Sequence, residues 1–402
     1  MVLLDLTLAF DTLETGHILP TKMKHYGADD KTVNFFKSYF TGRSSIVNWN
    51  GHNSKKITLS DNSCVQGSCL GPPIYNHYTQ DIQNNIKKGT IIKFADDNNL
   101  VIGNKKYNSL IETVNFELEK IYQYTKANNL IINSDKSNYM IFKPTKPQNR
   151  DQTPTNDILI NGKPLRKISE ARYLGVIIDD KLNFKAHTSK VMKKLREATN
   201  ALRCTRYSLS YKAKILIYHS LFASHLDYCS IMWHDKLNKK QWNEITKLQK
   251  KAIRICFNAK NKSHTAPLFK LAKVTPATKI YERDCILLVY RSTNEVTRSH
   301  QPAEINKLLK RDPIKYNTRL GWNKNIIKIN RKYKKGDALY SILTEWNKPE
   351  NDIYGNLGNI SVVKEELKEE HINKITICIK PNCKLCEMDN TRMKLYEKYI
   401  QK

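Results

Sequence analysis

The chain has 402 residues, with 68 Lys and Arg against 38 Asp and Glu, a formal net charge of +30. Hydrophobic residues at 40% and charged residues at 26% exclude a disordered or fibrous chain, and the length suits two or three domains with real cores. The cationic surplus favours a polyanionic partner, nucleic acid before an acidic membrane. No apolar run approaches the ~20 residues of a membrane span. The apolar start at Met1 to Leu4 is broken by Asp5, which argues against a signal peptide. Nine cysteines, an odd count without export signals, point to free thiols in a reducing compartment, so to cytoplasm, nucleus or both.

In chain order, Val2-Leu3-Leu4-Asp5-Leu6 predicts a buried strand interrupted by a carboxylate, costly unless Asp5 is hydrogen-bonded or meets a cation. Asp11 is placed as the N-cap of a helix running through Ile18, Met23 and Tyr26 to Gly27. Asp29 or Asp30 caps a second helix, which carries Val33, Phe36, Tyr39 and Phe40 to Gly42. Ser45 to Trp49 and Lys56 to Leu59 alternate around Asn50-Gly51, a strong hairpin signal. Gln66-Gly67-Ser68-Cys69-Leu70-Gly71-Pro72 joins two glycines, suited to positive φ or close backbone approach, to a proline suited to a helix's first turn. Such a loop is either a connector or a backbone seat for phosphate or sugar. Ile91 to Val101 reads as two short strands around a tight turn, Asp96-Asp97-Asn98-Asn99. Adjacent carboxylates repel, so this pair is either an ordinary solvated turn or a place for a cation.

These three elements, in this order, resemble the palm of reverse transcriptases, and specifically of non-LTR (LINE-type, jockey-like) retrotransposons. Leu4-Asp5-Leu6-Thr7-Leu8-Ala9-Phe10-Asp11 is similar to that family's first palm motif, Gln66 to Pro72 to its second, and Phe94-Ala95-Asp96-Asp97 to its third. Leu8 stands where the family mostly has a basic residue, Val65 where proline is usual, and Asn98 where threonine is commoner. Leu110 to Asn128 predicts a long helix with Leu110, Val114, Phe116, Leu118, Ile121 and Tyr124 on its buried side. Asn133 to Phe142 resembles the fourth motif, whose lysine, here Lys136, is expected near the incoming triphosphate. Tyr173 to Asp179 resembles the motif that grips the primer end, with Gly175 allowing backbone approach; on residues alone it is a buried strand. The resemblance covers roughly residues 1–290. It implies a fingers region ahead of the first motif, so the chain reads as N-terminally truncated.

From about Leu182 the pattern turns helical, and residues 181–260 hold 18 Lys and Arg against 4 Asp and Glu. The clearest helix, Asn243 to Phe257, has Ile245, Leu248, Ala252, Ile253 and Cys256 as its apolar stripe. Lys247, Lys250, Lys251 and Arg254 form a basic stripe, read either as a solvated face or, beside a palm, as a thumb lying along duplex phosphates. Farther on lie Pro302, a basic run from Arg331 to Gly336, and candidate zinc ligands Cys378, Cys383 and Cys386, with His371 upstream. Only the CxxC has knuckle-like spacing, and unpaired thiols are the alternative.

The expected fold is α+β. A polymerase palm over 1–180, with an antiparallel sheet and helices on one face, precedes a basic thumb-like domain over 181–295 and a C-terminal region over 296–402. The resemblance implies RNA-directed DNA synthesis from an RNA template, a DNA primer and deoxynucleotides. Two divalent ions about 3.5–4 Å apart serve such transfer, and magnesium suits hard oxygen ligands beside a triphosphate. Asp5, Asp96 and Asp97 are the implied ligands. Phe10 would sit beneath the sugar and exclude a 2′-hydroxyl, Gln66 and Gly67 would contact the incoming nucleotide or template base, and Lys136 would serve the leaving group. The alternative is an inactive remnant that only binds nucleic acid.

Overall fold

Strand Val2–Leu4 is the central member of a five-stranded sheet in the computed structural model, which describes residues 1–64, 67–142, 157–293, 342, 346 and 360–373. The strands lie in the order Arg166–Lys167, Asn138–Tyr139, Val2–Leu4, Asp97–Val101, Thr90–Phe94. Every neighbouring pair is antiparallel except the first, which is parallel. Successive side chains alternate across a strand. Val2 and Leu4, with Leu100 and Ile91, enter a core shared with Tyr75 and Tyr78 of helix Gly71–Thr79 and Leu118 and Ile121 of helix Tyr107–Ala127. Leu3 and Asp5 therefore stand on the other face.

Local chemistry explains where several elements begin. The first helix is Ile18–His25, well past Asp11; the Glu14 carboxylate accepts the free N–H groups of Gly16, His17 and Ile18. Asp11 lies instead in a turn, its N–H donating to the Leu8 carbonyl at 2.8 Å. Asp29 caps helix Asp30–Phe40 by accepting from the Thr32 N–H at 2.8 Å. Asn50 and Gly51, both at positive φ, close the predicted hairpin: Asn48–Trp49 pairs with His52–Asn53, and farther out Ser44–Ser45 pairs with Ile57–Thr58. The long helix buries Val114, Leu118, Ile121 and Tyr124 as expected, but Phe116 is 59% exposed. Glu117 takes the inward position instead, accepting from the Lys87 and Lys88 backbone and from the Lys120 ammonium.

The chain divides into two compact units: Met1–Arg172 with Asp179–Leu182, and Tyr173–Ile178 with Asn183–Lys402. The second is helical, with Lys185–Cys204, Tyr211–Ile217, Lys239–Cys256, Ala277–Thr293 and Ile360–Asn373 as its main described helices. Val176, Leu195, Phe222, Trp233 and Ile253 lie in one core cluster. Helix Lys239–Cys256 starts before the predicted Asn243 because Asn238 and Gln241 form a capping box. Its Gln249 is buried: the amide donates to Tyr218 Oη and to the Thr275 carbonyl, both at 3.0 Å, and accepts from the Ala277 N–H. Ile342, Trp346, Val363 and Leu367 form a further core with Cys285 and Val289. Pro302, the Arg331 to Gly336 run, Cys378, Cys383 and Cys386 lie outside the described residues. No helix among the described residues is long and apolar enough to cross a membrane.

Candidate active site

The register of the central strands brings the aspartates together. Val2 pairs with Leu100, Leu3 with Asn99 and Leu4 with Asn98, so one step further the same register sets Asp5 opposite Asp97. Both then stand on the face of the sheet away from the helices. Asp96 comes from the hairpin tip. Phe94 pairs with Asp97, which leaves Ala95-Asp96 as a two-residue turn with Ala95 at φ +52. The predicted four-residue turn is thereby corrected: Asp97 opens the strand, and Asn98 and Asn99 are buried strand residues. Asn98 donates from its side-chain amide to the Asp96 carbonyl at 2.9 Å and pins the tip.

Asp5 is held by its backbone. Its N–H donates to Ser137 Oγ at 3.1 Å, and its carbonyl accepts from the Asn133 N–H at 2.9 Å. Opposite it the partner strand is longer. Leu3 pairs with Asn138 on one side of Asp5 and Leu6 with Ile132 on the other, so the Asn133 to Ser137 turn bulges out there. Asn133 organises that turn through its side-chain oxygen, which accepts from the Asp135 and Lys136 N–H groups. Lys136 is exposed on it, next to the serine that holds Asp5.

Burial, then the charges of Asp96 and Asp5, push the Asp97 carboxyl above its ordinary range. The three carboxylates are close enough to repel, and a cation would relieve that repulsion. Among the described residues no group of three or more His, Cys, Asp or Glu side chains is gathered tightly enough to enclose a metal ion. Phe10 stacks on Tyr75, ring centroids 4.8 Å apart, and burial followed by the Asp96 charge raises the Tyr75 hydroxyl to about 12. Gly67 has φ +85 with open space where a Cβ would stand, so its backbone is approachable. Ser68 Oγ accepts from the Gly71 N–H at the start of helix Gly71–Thr79, and Gln66 lies outside the described residues. Sequence reasoning misses Lys93, whose alternation on its strand is the available signal. Its ammonium donates to the Thr79 carbonyl and hydroxyl, both at 2.6 Å, and burial lowers it to about 8.

In the second unit Gly175 and Leu174 both have positive φ, +87 and +43. A Cβ on Gly175 would meet the Tyr228 ring at 3.3 Å, and Tyr228 Oη donates to the Leu174 carbonyl at 2.5 Å. The close approach expected at Gly175 is thus made by Tyr228 of the same unit. Lys247, Lys250 and Lys251 are exposed along one helix. Arg254, on the same face, is half-buried, and its Nε donates to the Ser263 carbonyl at 2.8 Å. His371 is buried, with its Nε2 3.2 Å from a Glu282 carboxylate oxygen. Burial pushes the Glu282 carboxyl up, but hydrogen bonds from His371 and Lys279 outweigh it and hold the group at about 2.

Residues 1–178 match the family model described as reverse transcriptase (RNA-dependent DNA polymerase). The chain is 27% identical over 204 residues to a probable RNA-directed DNA polymerase from transposon X-element of Drosophila melanogaster, covering 49% of this chain and 22% of that one. It is 27% identical over 228 residues to the RNA-directed DNA polymerase from mobile element jockey of Drosophila funebris, covering 54% and 24%. A probable RNA-directed DNA polymerase from transposon BS of Drosophila melanogaster is 25% identical over 264 residues, covering 63% and 28%. The chain thus spans between 22% and 28% of the length of these curated relatives. The resemblance to LINE-type reverse transcriptases is borne out, and the mixed helices and sheets agree with the α+β expectation.

Proposed function

We propose that the chain carries the palm and a following basic thumb of a mobile-element RNA-directed DNA polymerase, which joins deoxynucleotides to a primer 3′-hydroxyl on an RNA template. One observation supports this most: the strand register that sets Asp5 opposite Asp97, with Asp96 at the adjoining hairpin tip. The charges of Asp96 and Asp5 add to burial in favouring the proton on Asp97, and a divalent cation would relieve the same repulsion. Asp5, Asp96 and Asp97 would hold magnesium, which when bound supplies charge neutralisation for the attacking and leaving oxygens.

The remaining roles belong to the chain's own side chains. Ser137 and Asn133 fix the Asp5 backbone, so that carboxylate meets its partners in one orientation. Phe10, braced by the Tyr75 ring, would lie against the sugar and exclude a 2′-hydroxyl. Gly67, open and at positive φ, would offer its backbone to the nucleotide, and Gln66, its neighbour in sequence, would contact the nucleotide or template base. Lys136 faces solvent on the turn that holds Asp5, where it would meet the triphosphate and serve the departing pyrophosphate. Lys247, Lys250 and Lys251 would track duplex phosphates.

The test is primer extension on an RNA template with magnesium and deoxynucleotides, run beside Asp96→Asn. Extension by the parent that vanishes in a folded variant upholds the proposal; extension retained by Asp96→Asn would falsify the carboxylate assignment. No extension by either, with tight salt-sensitive duplex binding, selects the second reading, an inactive remnant that binds nucleic acid.

A further inference from the structure

The helical unit contains a cleft of about 400 Å³ that takes nothing from the basic helix Lys239–Cys256 and lies outside residues 1–178. Tyr218, His219 and Ala223 line it from a π-helical turn, Tyr218–Ala223, which follows directly on helix Tyr211–Ile217. Wide turns of this kind concentrate at functional sites, because the extra residue opens the helix face. Tyr218 cannot close the gap, since the buried Gln249 amide holds its hydroxyl at 3.0 Å.

Cations are prominent in the cleft's lining. Lys273 comes from the end of helix Ala266–Ala272, Arg291 from helix Ala277–Thr293, and Lys364 and Lys368, one helical turn apart, from helix Ile360–Asn373. Arg283 also lines the cleft but is already committed, 2.7 Å from Asp284 and 3.4 Å from Asp227. Those two carboxylates offset Arg283 and at most one further cation, so the lining keeps a net positive charge. Burial and the neighbouring Lys368 hold the His219 imidazole below its ordinary range, so it serves as a neutral hydrogen-bonding group at pH 7.

We propose that this cleft is a second nucleic-acid site, in which backbone phosphates of a single strand are seated between Lys273, Lys364 and Lys368 over the π-helical turn. A duplex presents its phosphates along a broad cylinder, which suits an extended lysine row such as Lys247, Lys250 and Lys251. A concave site with cations converging from three helices suits a flexible strand that can bend one or two phosphates inward. The polymerase reading is used only for the choice of nucleic acid as the polyanion, and the site requires no catalysis.

The experiment is fluorescence anisotropy of a labelled oligothymidylate with the full chain across a salt series, comparing parent, Lys364→Gln/Lys368→Gln, and Lys273→Gln. Each lost contact to a single strand should flatten the dependence of log K on log salt by about 0.7, so the double variant should lose about 1.4 and bind several-fold more weakly. Lys273→Gln should lose about half as much. A labelled duplex should be bound equally by all three. Unchanged slopes for the oligothymidylate overturn the proposal, as does an equal loss on the duplex. Calorimetry with inorganic pyrophosphate separates a small-anion site: pyrophosphate binding lost in the double variant, with the oligothymidylate slope unmoved, overturns the polymer assignment. A chain inert in primer extension that still shows the slope change upholds the cleft while the polymerase reading falls.

Discussion

Replacing Asp97 with Asn should make the chain more stable without magnesium and less responsive to it. Side chains directly opposite on paired strands stand about 5 Å apart, where two carboxylates in water repel by about 0.8 kcal/mol. Screening at 0.1 M salt, with a Debye length of about 10 Å, leaves roughly 0.5 kcal/mol per partner for so exposed a group. With Asp5 and Asp96 both acting on Asp97, the amide should relieve about 1 kcal/mol, or roughly 2–4 °C for a unit of this size. The sign with pH follows from the raised carboxyl: the folded state favours the proton, so the relief is absent in acid, appears as pH climbs through the carboxylate range and is complete by pH 7. Magnesium reverses the comparison. An ion bound at about 1 mM and supplied at about 10 mM stabilises the parent by about 1.4 kcal/mol. The assay is thermal unfolding at pH 7 and pH 4, in EDTA and in magnesium. A variant that melts below its parent in EDTA at pH 7, or that gains as much from magnesium, would refute the reasoning.

Phe10→Val should raise the ratio of ribonucleotide to deoxynucleotide kcat/KM by about tenfold or more, read by single-nucleotide extension; an unchanged ratio removes Phe10 from the sugar site. Tyr228→Phe, which deletes the bond to the Leu174 carbonyl, should cost about 0.5–1 kcal/mol in urea unfolding. Gly175→Ala should cost more than about 1 kcal/mol, because it adds a Cβ both at positive φ and against the Tyr228 ring; a neutral result would mean the turn relaxes freely. Changing Lys247, Lys250 and Lys251 together to Gln should flatten the salt dependence of duplex binding by about 2.7, and an unaltered slope takes duplex off that helix.

How much of the structure is legible in the sequence depends on the range of the interactions. Asn50-Gly51 forms its hairpin because the two residues themselves supply the positive φ that a tight turn needs. The Asp96 tip is legible for a similar reason, yet composition alone puts Asn98 and Asn99 in the turn. Their place is set by pairing with Val2–Leu4 and Thr90–Phe94, which no local signal encodes. The clasp on Asp5 is hidden for the same cause, since Ser137 is 132 residues away. Glu117 reads as a surface residue because carboxylates usually are; the Lys87 and Lys88 N–H groups and the Lys120 ammonium make its burial tolerable. In the helical unit the apolar stripe around Ile253 is legible, whereas the burial of Gln249 is not. Its partners Tyr218, Thr275 and Ala277 come from other segments of the chain.

The path of the backbone near residue 175 constrains how the protein can be dissected. Tyr173–Ile178 belongs to the helical unit, whereas the very next residues, Asp179–Leu182, return to the sheet unit before the chain leaves it again. A cut after Arg172 strips the sheet unit of its last four residues, and a cut after Leu182 takes Val176 from the interior of the other. No single scission frees two intact halves. Limited proteolysis in this stretch should therefore leave at least one product short of a segment of its own unit, and a cut between Ile178 and Asp179 should leave both short.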